Sequence, residues 1–228
     1  MNVHVAIHSR AYRRDLAIRF IIAAIGFAPI TALAAAIFGF GSLWSAVMIL
    51  VLPGAAMLAE LLWLKPHYRT IAVSGFVFGL IAVTLYDLFR VPWVLSGLWG
   101  DFIPKIGQWL LEDDHAHPTI GYLYRYIGDG GGLGMAYVAI YPLLHRFIPN
   151  RLLSGLLYGV FVWACLMATL LVAPHAQEKL FSLTPLKVTL SLCGHLIYGG
   201  TLGALMGNAR ALALTHAGPQ PAYEPARA

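Results

Sequence analysis

Residues 121–145 read GYLYRYIGDGGGLGMAYVAIYPLLH. The stretch is long and apolar enough for a membrane-spanning helix, yet it carries Tyr122, Arg125, Tyr126 and Asp129 on one face. Charged and phenolic groups inside hydrocarbon are expensive, so such a face must turn toward protein or water. The stretch therefore predicts a helix bundle with a polar interior, facing the non-cytoplasmic side.

The rest of the chain agrees. It has 228 residues, is 59% hydrophobic and only 11% charged, with a mean hydropathy of +0.73. Soluble domains carry about 25% charged residues, so this is the composition of a membrane protein. The length suits one bundle and leaves no second soluble domain. A net charge of +5 does not indicate nucleic acid, because the basic residues sit in small groups beside apolar runs. Cys165 and Cys193 fall inside apolar segments without CxxC or CxxH neighbours and read as small packing residues.

A hydrocarbon core of about 30 Å needs roughly 20 apolar residues in a helix. The stretches at about 16–38, 43–64, 70–90, 121–146, 152–173 and 184–208 qualify, predicting an all-α polytopic membrane helix bundle of about six spans within residues 1–211. The apolar run at 17–38 is too long for a signal-peptide core and reads as a retained first span. Short connections at 39–42, 65–70 and 148–151 predict tight antiparallel hairpins. The tail at 212–228, rich in Ala and Pro, reads as disordered.

Orientation follows from Lys and Arg. Arg10, Arg13, Arg14, Arg19, Lys65, Arg69, Arg146, Arg151 and Arg210 fall on one side; Arg90, Asp101, Lys105, Glu112, Asp113, Asp114, Glu178 and Lys179 mix signs on the other. The positive-inside rule puts both termini in the cytoplasm.

Between the third and fourth spans, Leu95, Leu98, Trp99, Phe102, Ile103, Ile106, Trp109 and Leu110 recur at three- and four-residue spacing. This predicts an amphipathic interfacial helix over about 93–111, with tryptophans at headgroup depth; a re-entrant segment is the competing geometry. Pro92 is expected to end the third span and Pro104 to kink or divide the surface helix. Glycines four residues apart (Gly75/Gly79, Gly130/Gly134, Gly155/Gly159, Gly199/Gly203) predict close helix packing, within a bundle or between copies in a homo-oligomer or larger membrane complex.

Several positions are candidates for chemistry. His195 lies near the middle of the sixth span on the face of Gly199 and Gly203. It is either a histidine bonded to a neighbouring helix or a ligand, proton or metal site. Arg125 and Asp129, one turn apart, are either a self-neutralising pair or part of a pocket; Asp87 and Arg90, three apart, pose the same choice. Glu60 can reach the cytoplasmic interface or Lys65. The loop EDDHAHP at 112–118 brings His115 and His117 together, with His175 as the third imidazole available on that side for a weak metal site. HExxH, GxSxG, Walker A and CxxCH are absent, and GDGGGLG lacks the preceding strand of a dinucleotide fingerprint. No cofactor is indicated.

The order YDLFRVPW (86–93), a surface helix, GYLYRYIGDGGGLGMAY (121–137) and GHLIYGGTLGAL (194–205) resembles a family of bacterial multi-span inner-membrane proteins without known activity. The resemblance spans roughly 75–205 and places Asp87, Arg90, Gly130, Gly134, His195 and Tyr198 at the family's marked positions. It implies a bacterial inner-membrane address. The expected site is a polar pocket of Asp87, Arg90, Tyr122, Arg125, Tyr126 and Asp129 with His195 as its floor. Its expected role is permeation or binding of a small solute or ion. An accessory subunit of a larger complex, or an enzyme acting on a lipid, are the alternatives.

Overall fold

A computed structural model describes residues 10–207, and every regular element among them is helical. Arg210 and the 212–228 tail lie outside the described residues. The elements are α1 (Arg10–Phe38), α2 (Leu43–Leu64), α3 (His67–Leu95), α4 (Ile103–Leu111), α5, α6 (Arg151–Val172), α7 (Ala176–Lys179) and α8 (Pro185–Leu205). Helix α5 is one continuous rod built from Pro118–Leu123, Tyr124–Gly132 and Leu133–Phe147, with π-helical geometry in its middle portion.

The chain is a membrane protein. Helices α1, α2, α3, α6 and α8 are each long and apolar enough to cross a bilayer. Helix α5 is as long but not as apolar, because Arg125, Asp129 and the glycine run interrupt it. Its surroundings explain how it is tolerated: it packs against α1 and α3, while α8 fills the groove between α3 and α6. Met135, Ala136, Tyr137, Val138 and Ala139 are consequently all buried.

Local chemistry sets the turns. Gly39 adopts φ +84° where a side chain would be strained, and Ser42 then caps α2 by accepting from the Ser45 N–H at 3.2 Å. Asn150 caps α6 by accepting from the Leu153 N–H at 3.1 Å.

Close backbone approach organises the helix pairs. Gly155 and Gly159 of α6 lie directly against Gly199 and Gly203 of α8, and Gly75 and Gly79 of α3 against Gly130 and Gly134 of α5. The seams are therefore filled within the chain. Gly26 of α1 meets Gly132 in the same way. Helix α2 stands apart on the outside of α1, with no residue from Val47 to Leu64 buried.

Four details differ from expectation. Helix α3 runs through Pro92 to Leu95, because proline so close to a helix end removes a single bond; the Ser96 N–H still reaches the Pro92 carbonyl at 3.0 Å. The amphipathic helix is shorter than 93–111, because Gly97 turns the chain at φ +76°. Pro104 then sits in its first turn, where no N–H is needed, so it starts the helix and does not kink it. Trp99, expected at headgroup depth, is instead 1% exposed, packed with Ile103, Ile106, Leu170 and Phe181.

The α3–α5 seam yields a direct test. A Cβ on Gly75 would stand 2.6 Å from the Met135 Cα, whereas one on Gly200 meets nothing nearer than the Leu156 Cδ2 at 3.4 Å. Gly75→Val is expected to destabilise the protein by about 1–3 kcal/mol or more, and Gly200→Ala by well under about 1 kcal/mol. Thermal unfolding in detergent, followed by circular dichroism, measures both.

Candidate functional site

The polar face of α5 meets α3 through a continuous charge network. Asp87 on α3 is gripped from two directions. Arg125 donates from Nε to both carboxylate oxygens at 3.0 Å and from Nη2 to Oδ1 at 2.7 Å; Arg90 Nε donates to the same Oδ1 at 3.1 Å. Arg90 also donates to Asp101 Oδ1 at 3.1 Å and to the Tyr122 hydroxyl at 2.8 Å, and that hydroxyl donates to Asp101 Oδ2 at 3.0 Å. Asp101 Oδ1 accepts the Ile103 N–H at 3.2 Å, so the network ends on the first residue of α4. Arg125 lies over the Tyr86 ring, 4.7 Å from its centre. The two arginines and two aspartates balance in charge, and Asp87 and Arg90 are buried.

Asp129 takes no part. Of the two readings of Arg125 and Asp129, the local pair does not form, because Arg125 turns across to Asp87. Among the described residues the Asp129 side chain makes no hydrogen bond or ion pair, and its Oδ1 is buried without a hydrogen-bond partner. Instead Asp129 borders a cavity of about 300 Å³ enclosed by α1, α3, α5, α6 and α8.

That cavity is apolar over most of its wall, with Phe27, Ile30 and Leu33 from α1 and Val162 and Leu166 from α6. Arg125, Asp129, His195 and Tyr198 gather on its α5–α8 side. Trp99, Phe102 and Phe181 cover the end that carries the long connections, with Trp99 and Phe181 edge-to-face at 5.7 Å. Thr31 on α1 and Phe161 and Cys165 on α6 also line the cavity and are exposed on the outside of the bundle, so the gap between α1 and α6 gives it a sideways opening.

His195 donates from Nδ1 to the Ser191 carbonyl at 2.7 Å, one turn back on its own helix. A carbonyl only accepts, so this bond places the proton on Nδ1 and leaves Nε2 of the neutral ring as an acceptor. The ring stands edge-to-face on Tyr86 at 5.3 Å.

Toward the N-terminal end the cavity is closed. The Tyr198 hydroxyl donates to the Gly130 carbonyl at 2.7 Å and the Tyr158 hydroxyl to the Leu133 carbonyl at 2.8 Å. The buried rings of Tyr137, Tyr141 and Tyr158 pack below them. Tyr137, Tyr141 and His145, at four-residue steps along α5, are thus packed against protein, with the Tyr141 hydroxyl against His145 Nδ1 at 3.2 Å.

Of the expected pocket residues, Arg125, Asp129 and His195 share the cavity. Asp87, Arg90 and Tyr122 form the network behind it, and Tyr126 packs against the apolar core. His115 and His117 both contact Asp113, while His175 pairs with Glu178 at 3.2 Å. Among the described residues no three His, Cys, Asp or Glu side chains group to hold a metal ion. The His117 contact, helped by the Asp114 N–H and His115, holds the Asp113 carboxyl down at about 2. A lowered carboxyl favours this loop arrangement above the ordinary carboxylate range and loses it only as pH falls toward 2.

Sequence reading missed a second polar cluster at the N-terminal end. Arg19, buried, donates to Asp15 Oδ2 at 2.8 Å and to the Ala139 carbonyl at 3.5 Å, and the Tyr68 hydroxyl donates to Asp15 Oδ1 at 2.7 Å. The four-residue step from Asp15 to Arg19 was the available signal.

No protein-family model matches the chain, and neither a curated protein nor a solved structure matches it.

The contrast between the two carboxylates is testable. Asp87→Asn leaves two guanidinium groups short of a counter-charge and is expected to cost about 3–5 kcal/mol. Asp129→Asn breaks no bond and is expected to cost less than about 1 kcal/mol or to stabilise. Unfolding of both variants in the same detergent decides.

Proposed function

We propose that the protein binds a lipid-borne amphiphile, taking its apolar body into the cavity and its polar head to Arg125, Asp129 and His195. One observation carries this reading: an apolar chamber of about 300 Å³ that ends on polar side chains and opens sideways between α1 and α6. Ligand sites are typically chambers of about 300–1,000 Å³ with a few convergent polar groups. A water-soluble solute entering from the aqueous side would meet the Trp99–Phe181 cover, and one crossing the bilayer would meet the Tyr137–Tyr158–Tyr198 packing. Those two barriers favour binding from the lipid over permeation.

The charge distribution supports an orientation with both ends of the chain in the cytoplasm and the cavity in the outer leaflet. Arg14, Lys65, Arg69, Arg146 and Arg151 cluster at the N-terminal end of the bundle, while Glu112, Asp113, Asp114 and Glu178 lie at the other. The motifs at 86–93, 121–137 and 194–205 support a bacterial inner membrane as the location.

Ala34 lines the cavity, so Ala34→Trp fills it. In native-lipid nanodiscs, mass spectrometry of wild-type extracts is expected to show an amphiphile enriched several-fold over bulk membrane, and Ala34→Trp is expected to lose it while still folding. Identical extracts from the two proteins would overturn the reading.

A further inference from the structure

Building on the binding reading above, we infer that the head of the amphiphile is a cation, a protonated amine on an apolar body. The reason is an imbalance on the cavity wall. Arg90 and Arg125 are matched by Asp87 and Asp101, so the network behind the wall is neutral by itself. Asp129 is the remaining carboxylate on the cavity, and among the described residues no hydrogen bond or ion pair reaches its side chain. A carboxylate without a partner in a low-dielectric site is costly, and a ligand cation removes that cost.

The other groups at this end fit the same head. His195 Nε2 and the oxygens of an ionised Asp129 are all acceptors, the Nδ1 proton of His195 being committed to the Ser191 carbonyl. An ammonium brings several N–H donors and one positive charge, which answers both features at once. Arg125 also borders the cavity, but its Nε and Nη2 already serve Asp87, and its charge is matched there. An anionic head would therefore meet Asp129 without an unmatched cation to receive it. The Tyr86 ring, perpendicular to that of His195, has the Arg125 guanidinium over its face, which leaves Asp129 as the group available to a cation.

The probes are dodecylamine, dodecanol and dodecanoate, which share one tail and differ in head charge. Cys165 lies on the cavity rim and is exposed, so its rate of maleimide labelling reports occupancy once Cys193 is changed to Ser. In nanodiscs of one fixed lipid, dodecylamine is expected to slow Cys165 labelling about tenfold, equivalent to about 1.4 kcal/mol, with dodecanol and dodecanoate well behind. Asp129→Asn is expected to erase the amine's advantage. Equal protection by all three probes, unchanged in Asp129→Asn, would overturn the cationic head while leaving the cavity reading intact. Protection by none of them would overturn the amphiphile reading itself, and the inference with it.

Discussion

The structure depends on Asp87 holding two arginines from different parts of the chain. In hydrocarbon a guanidinium without a counter-charge is a liability, and α5 brings Arg125 into the middle of the bundle. The bond from Arg125 across to Asp87 fixes the register of α5 against α3. Arg90, one turn further along α3, carries the same network out to Asp101 and Tyr122 and so to the start of α4. One carboxylate thus links the central helix, a neighbouring span and the cover over the cavity. The glycines of α3 and α5 make that reach short, since Gly75 and Gly79 let the two backbones close on Gly130 and Gly134.

Much of this architecture is written in local pattern. Runs of about 20 apolar residues give the spans, and the Ser42 and Asn150 caps fall where short polar turns are read. Glycines at four-residue spacing announce close packing, though the spacing does not say which helix answers which. The charged residues of the site are also visible as types. Their partners are not: Arg125 has Asp129 one turn away and Asp87 on another helix, and helical spacing favours the local pair. The π-helical stretch from Tyr124 to Gly132 changes the pitch there and has no signature in residue type. Amphipathic spacing places Trp99 on an apolar face without identifying what covers that face. The ring that covers it, Phe181, comes from a segment more than 70 residues away.

The two ends of the bundle are built differently. At the N-terminal end, Arg19, Asp15 and Tyr68 satisfy one another and the Ala139 carbonyl, and the tyrosines of α5, α6 and α8 fill the interior. That end is closed packing with its polar atoms spoken for. At the other end aromatic side chains from the two long connections cover the cavity, α1 and α6 part at its side, and Asp129 and His195 stand on its wall. A chain under selection only for a stable bundle has little reason to keep an unpaired carboxylate beside an apolar hole.

Asp129 also explains why Arg125 need not be the ligand's contact. If Arg125 had paired locally with Asp129, the cavity would end on a neutral pair and Asp87 would be left with Arg90 alone. By turning to Asp87 instead, Arg125 makes the network behind the wall self-sufficient and sets Asp129 free. The π-helical turn that carries both residues is where that choice is made. At its end the Tyr198 hydroxyl donates to the Gly130 carbonyl and the Leu133 N–H is shared between the Asp129 and Gly130 carbonyls. The same segment therefore supplies the strut that holds the bundle and the acceptor that faces the cavity, and glycine at 130–132 gives the backbone room for both.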